Sequence, residues 1–310
     1  MPSPSSITVV LGTGGTIAGI APSADEAVAY RAAQLGVDAL VAALPALSGL
    51  ALEAVQVAQI DSKDMSHAVW QRLVRAVAAQ LARPEVSGIV VTHGTDTLEE
   101  TAYFLHRLLA PVKPVVLTAA MRPATSLQAD GPQNLLDAVT VARTPGARGV
   151  LAAIGGRVFG ADGLRKADAW RLDAFDGPQV GVVEGGRWRQ TCALPAGEPM
   201  GLSLVDPDPA AWPRVAWVSS HAGFDATQVD ALVAAGFDGL VVAGTGNGSL
   251  DAGLEAALER ARAAGVAVRI TTRCASGRVI GAAEPQPVGA AQARVALLLE
   301  LLARRAGPAA

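Results

Sequence analysis

The stretch Ile7-Thr8-Val9-Val10-Leu11-Gly12-Thr13-Gly14-Gly15-Thr16 decides the architecture. Its first half, Ile7–Leu11, is a short run of mainly β-branched and aliphatic residues that reads as a buried strand. Its second half is a glycine-rich turn, which lets the backbone come close to whatever lies beyond the strand. The same order recurs downstream. Strands are expected at Val55–Ile60, Ser87–Val91, Val115–Thr118 and Gly149–Ile154. Between them, Val69, Trp70, Leu73, Val74, Val77 and Leu81 fall on one face of a helix spanning Ala68–Leu81. Thr97 and Glu100 have the spacing of a capping box, opening a helix that runs through Leu105 and Leu108. Asp130-Gly131-Pro132 opens another, Gln133–Ala142. Strands alternating with helices in this way imply a parallel sheet with right-handed crossovers.

Residues 192–214 change character: they are rich in Pro, Gly and Asp, lack periodicity and read as a linker. A second α/β set follows, with strands Val215–Ser219, Leu240–Ala243 and Val266–Ile270 and helices Thr227–Ala235, Leu250–Ala264 and Ala290–Arg305. The expected fold class is therefore α/β: two α/β domains with mainly parallel sheets. Residues 1–191 form the larger N-terminal domain, and residues 215–310 a smaller, flavodoxin-like C-terminal one.

Bulk properties narrow the function. The 310 residues carry a formal net charge of -3 and 51% hydrophobic residues. No basic cluster is large enough to follow a phosphate backbone, so nucleic acid is not an expected partner. No run approaches the roughly 18 apolar residues of a membrane helix. Met1 to Ser6 lacks Lys and Arg, and the following apolar run is interrupted by Gly12, Gly14, Gly15 and Gly19, unlike a signal peptide. Cys192 and Cys274 form neither a disulfide framework nor a metal spacing, and His67, His93, His106 and His221 show no ligand pattern. A reducing, cytoplasmic setting is expected, with no metal and no cofactor. Of the 25 basic residues three are lysines, Lys63, Lys113 and Lys166, which singles them out slightly, because a buried Lys can lose its proton and Arg cannot.

In open parallel sheets ligands bind beyond the carboxyl ends of the strands. Those ends carry Gly12-Thr13-Gly14-Gly15-Thr16, then Asp61-Ser62-Lys63-Asp64, then Thr92-His93-Gly94-Thr95-Asp96-Thr97, then Ala119-Ala120-Met121-Arg122. Hydroxyls, carboxylates and glycines converge on one edge. A dinucleotide site would need G-x-G-x-x-G, but Ile17 stands at the third glycine position, although Asp61 lies where a ribose-binding acid would. No Gly-Lys-Ser/Thr follows for a P-loop, and no G-x-S-x-G elbow occurs for a Ser-His-Asp hydrolase. Each candidate also has a plain structural role: Thr16 packing beside a turn, Thr95 and Asp96 leading into a helix, Lys166 in solvent, His93 in the core.

Two segments, Thr13-Gly14-Gly15-Thr16-Ile17-Ala18-Gly19 and Thr92-His93-Gly94-Thr95-Asp96-Thr97-Leu98-Glu99-Glu100-Thr101, resemble the two signature motifs of the bacterial-type L-asparaginases. Lys113–Leu117, Ala120–Pro123, Asp130–Pro132 and Gly244–Gly248 continue the resemblance over nearly the whole chain. It implies hydrolysis of L-asparagine to L-aspartate and ammonia, with glutamine as a secondary substrate. Thr16 would be the nucleophile, with Tyr30 its activating partner on a mobile loop. Thr95, Asp96 and Lys166 would form a second polar triad, in which a desolvated Lys166 would serve as base or proton relay. Ser62 and Asp96 would hold the substrate's α-carboxylate and α-amino groups, and the Ala120 backbone its amide. Backbone N–H groups at the Gly15–Thr16 turn and near Thr95 would face the oxyanion. Homotetramers built from close dimers are implied, a neighbouring subunit completing each site with Asn247, Ser249 and an acid.

Several positions depart from the pattern. Lys63 follows Ser62 where relatives carry an uncharged residue, and would strengthen carboxylate binding or point to solvent. Ser249 replaces a second asparagine. The segment between Arg273 and Arg294 is short, and Glu284 is its one acid. Two alternatives stay open: an ammonia-supplying amidase subunit for tRNA-dependent amidation, and a non-catalytic amino-acid-binding or regulatory protein of the same fold.

Overall fold

The computed structural model describes residues 6–26, 28–281 and 289–307. The chain divides into two compact units that meet at Leu202 and Ser203. In chain order the first contains β1 (Ile7–Gly14), α1 (Val37–Ala42), β2 (Leu52–Ile60), α2 (His67–Leu81), β3 (Val86–Thr92), α3 (Leu98–Leu109), β4 (Pro114–Thr118), α4 (Gly131–Ala142) and β5 (Gly149–Ile154). Five further strands follow: β6 (Arg157–Gly160), β7 (Arg165–Lys166), β8 (Phe175–Asp176), β9 (Gln179–Glu184) and β10 (Arg187–Gln190).

One sheet runs in the order β10-β9-β6-β5-β4-β3-β1-β2. From β2 to β5 neighbouring strands are parallel, and β6, β9 and β10 extend the edge with antiparallel pairing. The parallel part is covered on both faces, which is why its strands read as unbroken apolar runs. Val10, Val90, Val116 and Leu151 meet Leu135, Ala138 and Val139 of α4 in one core cluster, joined by Val37 and Leu40 of α1. Val9, Leu11, Ile89 and Val91 alternate to the other side and are equally buried. There Trp70 of α2 stacks on Phe104 of α3 with ring centroids 4.8 Å apart.

The antiparallel edge was not expected from the sequence. It is built from two hairpins with two-residue turns, Gly155-Gly156 and Gly185-Gly186, all four glycines at φ between 58° and 72°. Such turns need left-handed backbone at both central positions, and glycine adopts it without strain. The capping box also differs. Thr97 precedes α3, but its hydroxyl donates to the Ser62 carbonyl (2.8 Å) and makes no cap bond. A tie between two turns has taken the place of a local one.

The segment read as a linker is bound at its first half. The N–H groups of Met200 and Gly201 donate to the Arg107 and Leu108 carbonyls (2.9 and 3.2 Å), satisfying acceptors that the end of α3 leaves open. The second unit contains β11 (Val215–Ser219), α5 (Thr227–Ala234), β12 (Gly239–Gly244), α6 (Ala252–Ala263), β13 (Ala267–Thr272) and α7 (Gly289–Ala306). Its three strands are parallel and in chain order. Leu240 and Val242 of β12 face α5 and α6, whereas Val241 and Ala243 face Ala293 and Leu297 of α7.

Candidate active site

The turns that follow β1, β2 and β3 touch through their backbones. Gly15 holds φ 82°. A Cβ there would lie 2.4 Å from the Gly94 Cα and N, so the two chains meet with no side chain between them. A Cβ on Gly94 would in turn lie 2.5 Å from Ser62 Oγ and 3.1 Å from the Gly15 Cα. Glycine is required at both positions, and the consequence is positional. Thr16, Ser62 and Thr95, next to or against these glycines, are brought to one place at the carboxyl edge of the sheet.

Thr16 starts a helical turn, Thr16–Ala18, and is buried. Its hydroxyl lies 2.8 Å from the Tyr30 hydroxyl. Tyr30 comes from a loop closed at its base by paired Ile20–Arg31 backbone bonds and by Ala33 N–H to the Gly15 carbonyl (3.0 Å). The outer part of that loop is tied to the chain after β4, through Ala21 N–H to Thr125 Oγ1 (2.9 Å) and Leu127 N–H to the Ala24 carbonyl (2.9 Å). Beside Tyr30 opens a cavity of about 590 Å³, bounded by Ile20, Ala21, Ala29, Arg31 and Gln34.

The second hydroxyl belongs to Thr95, also buried. Lys166 Nζ, reaching in from β7, donates to Thr95 Oγ1 (2.9 Å) and to Asp96 Oδ1 (2.6 Å). The Asp96 N–H donates to Ser62 Oγ (3.2 Å). After β4, the Ala119 carbonyl is held by Asn134 Nδ2 (2.9 Å), and the Met121 and Arg122 N–H groups by the Asp130 carboxylate (3.0 and 2.9 Å). Ala120 therefore stands between anchored neighbours. Asp130 is a site-shaping residue that the sequence offered as a helix start; in the structure its carboxylate braces a turn.

Four further residues are committed elsewhere. The Gly15 N–H donates to the Ile60 carbonyl (2.8 Å), so its part in the site is close packing and not donation to a ligand. Lys63 is exposed, and its ammonium pairs with Asp61, with Asp64 3.7 Å away. The hydrogen bond to Asp61 holds the Lys63 pKa above its ordinary value. In the second unit the Asn247 amide is taken up by Ile280, donating to its carbonyl (3.0 Å) and accepting from its N–H (2.7 Å). Ser249 closes the same turn by exchanging backbone bonds with Thr245. Glu284 lies outside the described residues.

His93 is wholly buried and links the core to the site. The Trp70 indole N–H donates to Thr101 Oγ1 (2.9 Å), which lies 3.0 Å from His93 Nε2; His93 Nδ1 lies 2.7 Å from the Gly94 carbonyl. A carbonyl only accepts, which puts a ring proton on Nδ1. The Thr101 hydroxyl, accepting from the indole, can give its own proton to Nε2, so a neutral ring satisfies every partner. Burial lowers its pKa to about 4. Between pH 6.5 and 4 the unfolded chain binds a proton that the folded chain refuses. The resulting stability is complete above the unfolded value and is lost as pH falls toward 4, about 3 kcal/mol in all. The His93 ring proton resonances are expected to keep their neutral shifts down to pH 5; a midpoint near 6.5 would refute this.

Glu99, in the first turn of α3, carried no role in the sequence. Its Oε2 accepts the Lys166 N–H (2.5 Å), and burial raises its pKa to about 7. Among the described residues no cluster of three His, Cys, Asp or Glu side chains could hold a metal ion.

Fold and site together define an α/β enzyme whose functional groups line the carboxyl edge of the larger sheet. Comparison with known proteins gives the family. The N-terminal asparaginase domain matches residues 8–191, and the glutaminase/asparaginase C-terminal domain matches residues 214–298. A protein of Haemophilus influenzae named probable periplasmic L-asparaginase is 36% identical over 278 residues, 86% of this chain and 78% of that protein. A glutaminase-asparaginase of Pseudomonas fluorescens is 38% identical over 268 residues, covering 84% and 73%. The crystal structure of a probable cytoplasmic L-asparaginase from Campylobacter jejuni superposes with a TM-score of 0.89 at 32% identity, covering 96% of this chain and 95% of that one. The chain belongs to the asparaginase family, and as a member it is an amidohydrolase of L-asparagine.

Proposed function

We propose that the chain hydrolyses L-asparagine to L-aspartate and ammonia through Thr16 as the nucleophile, with L-glutamine as a slower substrate. The observation that carries this reading is the contact of the Gly15 and Gly94 backbones, which brings the Thr16–Tyr30 hydroxyl pair and the Thr95–Lys166 pair to one edge. A threonine hydroxyl is a poor nucleophile until a neighbour accepts its proton. In this reading Tyr30 Oη accepts that proton as Thr16 Oγ1 bonds to the amide carbon, and passes its own phenolic proton on to the amide nitrogen. The C–N bond then breaks, the nitrogen leaves with a proton as ammonia, and an ester joins Thr16 to the aspartyl group. Water attacks the ester carbon, restoring the threonine hydroxyl and releasing aspartate. Thr95, fixed by Lys166, supplies a second hydroxyl to the reacting amide, while Ser62 and Asp96 take the α-carboxylate and α-amino groups and the Ala120 backbone the amide.

Assembly as a homotetramer of close dimers is part of the same proposal. Asn247 and Ser249 would shape a neighbouring subunit's site as a braced turn, and Glu284 would supply the acid for the substrate's amine. Cytoplasmic location is proposed on the two exposed, unpaired cysteines, Cys192 and Cys274.

Purified protein is expected to release ammonia from asparagine, and more slowly from glutamine, with chelator present and no nucleotide added. A coupled ammonia assay with both amino acids and a buffer blank checks this. Binding of asparagine without ammonia release would favour the regulatory alternative and defeat the proposal.

A further inference from the structure

Lys166 is held weakly by its own strand. β7 is two residues long and, among the described residues, pairs with β8 alone, through Arg165 with Asp176 and Lys166 with Phe175, outside the eight-stranded sheet. The ladder that positions Thr16, Ser62 and Thr95 therefore does not position the lysine. Its side chain has a long flexible stem, whose freedom opposes any single geometry. Yet the ammonium sits on Thr95 Oγ1 and Asp96 Oδ1, 2.9 and 2.6 Å away. What fixes the other end of the residue is Glu99, whose carboxylate accepts the Lys166 backbone N–H at 2.5 Å. Glu99 belongs to the first turn of α3, and Thr95 and Asp96 form the turn that leads into that helix. Both ends of Lys166 are thus tied to one continuous stretch, Thr95 to Glu99.

Resting on the amidohydrolase reading, we propose that Glu99 is a positioning residue: by clamping the Lys166 backbone to the start of α3 it sets the reach of the ammonium to Thr95. Glu99 touches no reacting atom and acts through Lys166. A misplacement of about 1 Å at a reacting group costs on the order of 100-fold in rate, so a clamp of this kind is kinetically visible.

The charges around Glu99 give the clamp a pH response. Burial raises the Glu99 pKa to about 7, the Lys166 N–H bond opposes that rise, Glu100 adds to it, and Arg165 and Lys166 reduce it. Arg165 is itself paired with Asp176, and Lys166 with Asp96. An ionised carboxylate makes the stronger, charge-assisted bond. As pH rises through about 7 the clamp tightens, and turnover rises with it.

The test compares wild type with Glu99→Ala and Glu99→Gln. Glu99→Ala is expected to lower kcat for asparagine about 10- to 100-fold with KM changed little. Glu99→Gln keeps a carbonyl acceptor, so it is expected to recover most of kcat and to lose the wild-type rise between pH 6 and 8. Amide hydrogen exchange at Lys166, which needs no substrate, is expected to be slow in wild type and Glu99→Gln and fast in Glu99→Ala. Wild-type kcat in Glu99→Ala, an unchanged pH profile in Glu99→Gln, or a protected Lys166 amide in Glu99→Ala each overturns the proposal. Failure of the wild type to release ammonia would instead defeat the enzymatic reading, and the exchange measurement would still decide the clamp.

Discussion

Thr16→Ala is expected to lower kcat for asparagine by at least about 1000-fold while leaving KM within a few-fold of wild type. In the proposed mechanism the substitution removes the one atom that forms and breaks the ester. It leaves Ser62, Asp96 and Ala120 in place, and these are the groups assigned to hold the substrate. The fold has little reason to respond. Thr16 follows Gly15, and the conformation of that turn is set by the glycine's close approach to Gly94 and by the Gly15 N–H bond to Ile60. The hydroxyl's partner is the Tyr30 hydroxyl, beside an open cavity where water can replace the lost bond. Unfolding in urea should shift by less than about 1 kcal/mol. Acid-quenched wild type incubated with asparagine should show an aspartyl adduct by intact mass, and the alanine variant none. An alanine variant that keeps its turnover, or that still carries the aspartyl adduct, would remove Thr16 from the role of nucleophile.

The parallel core was legible because both of its faces are covered. Continuous apolar runs such as Val115–Leu117, bounded by polar turns, can be little else in a chain with intervening helical periodicity. The antiparallel edge was harder, since β9 and β10 carry Gly, Gln, Arg and Glu and are only partly buried. A usable signal did exist there: Gly155-Gly156 and Gly185-Gly186 are two-residue hairpin turns written in the sequence. Within the site, the threonine-rich turns were found from position alone, at the ends of predicted strands. The pairing of Thr16 with Tyr30, and of Lys166 with Thr95, came from family resemblance. A loop contact across 14 positions and a two-residue strand 71 positions away leave no periodic trace. Glu99 was invisible for a related reason. An acid in the first turn of a helix is ordinarily explained by the helix dipole, and nothing local shows that its carboxylate reaches β7.

Thr95→Val carries the second large expectation, a fall in kcat of about 100- to 1000-fold, the range for removing one preorganised hydroxyl or oxyanion donor. Valine keeps the β-branched shape of a side chain that is 5% exposed, so packing at the turn survives. What disappears is the acceptor for Lys166 Nζ, which retains Asp96 as its charged partner. A nearly unchanged Tm with a collapsed kcat separates a chemical role from a structural one. Lys166→Met extends the argument, since methionine fills much of the lysine stem's space without its charge. If Lys166 acts through Thr95, each single variant already disables the pair, and the double variant should be slower than the worse single by no more than a few-fold. Independent roles would instead multiply, giving a double-variant loss near the product of the two. Full additivity would therefore separate the lysine from the threonine, and the 2.9 Å contact between them would then be a feature of packing alone.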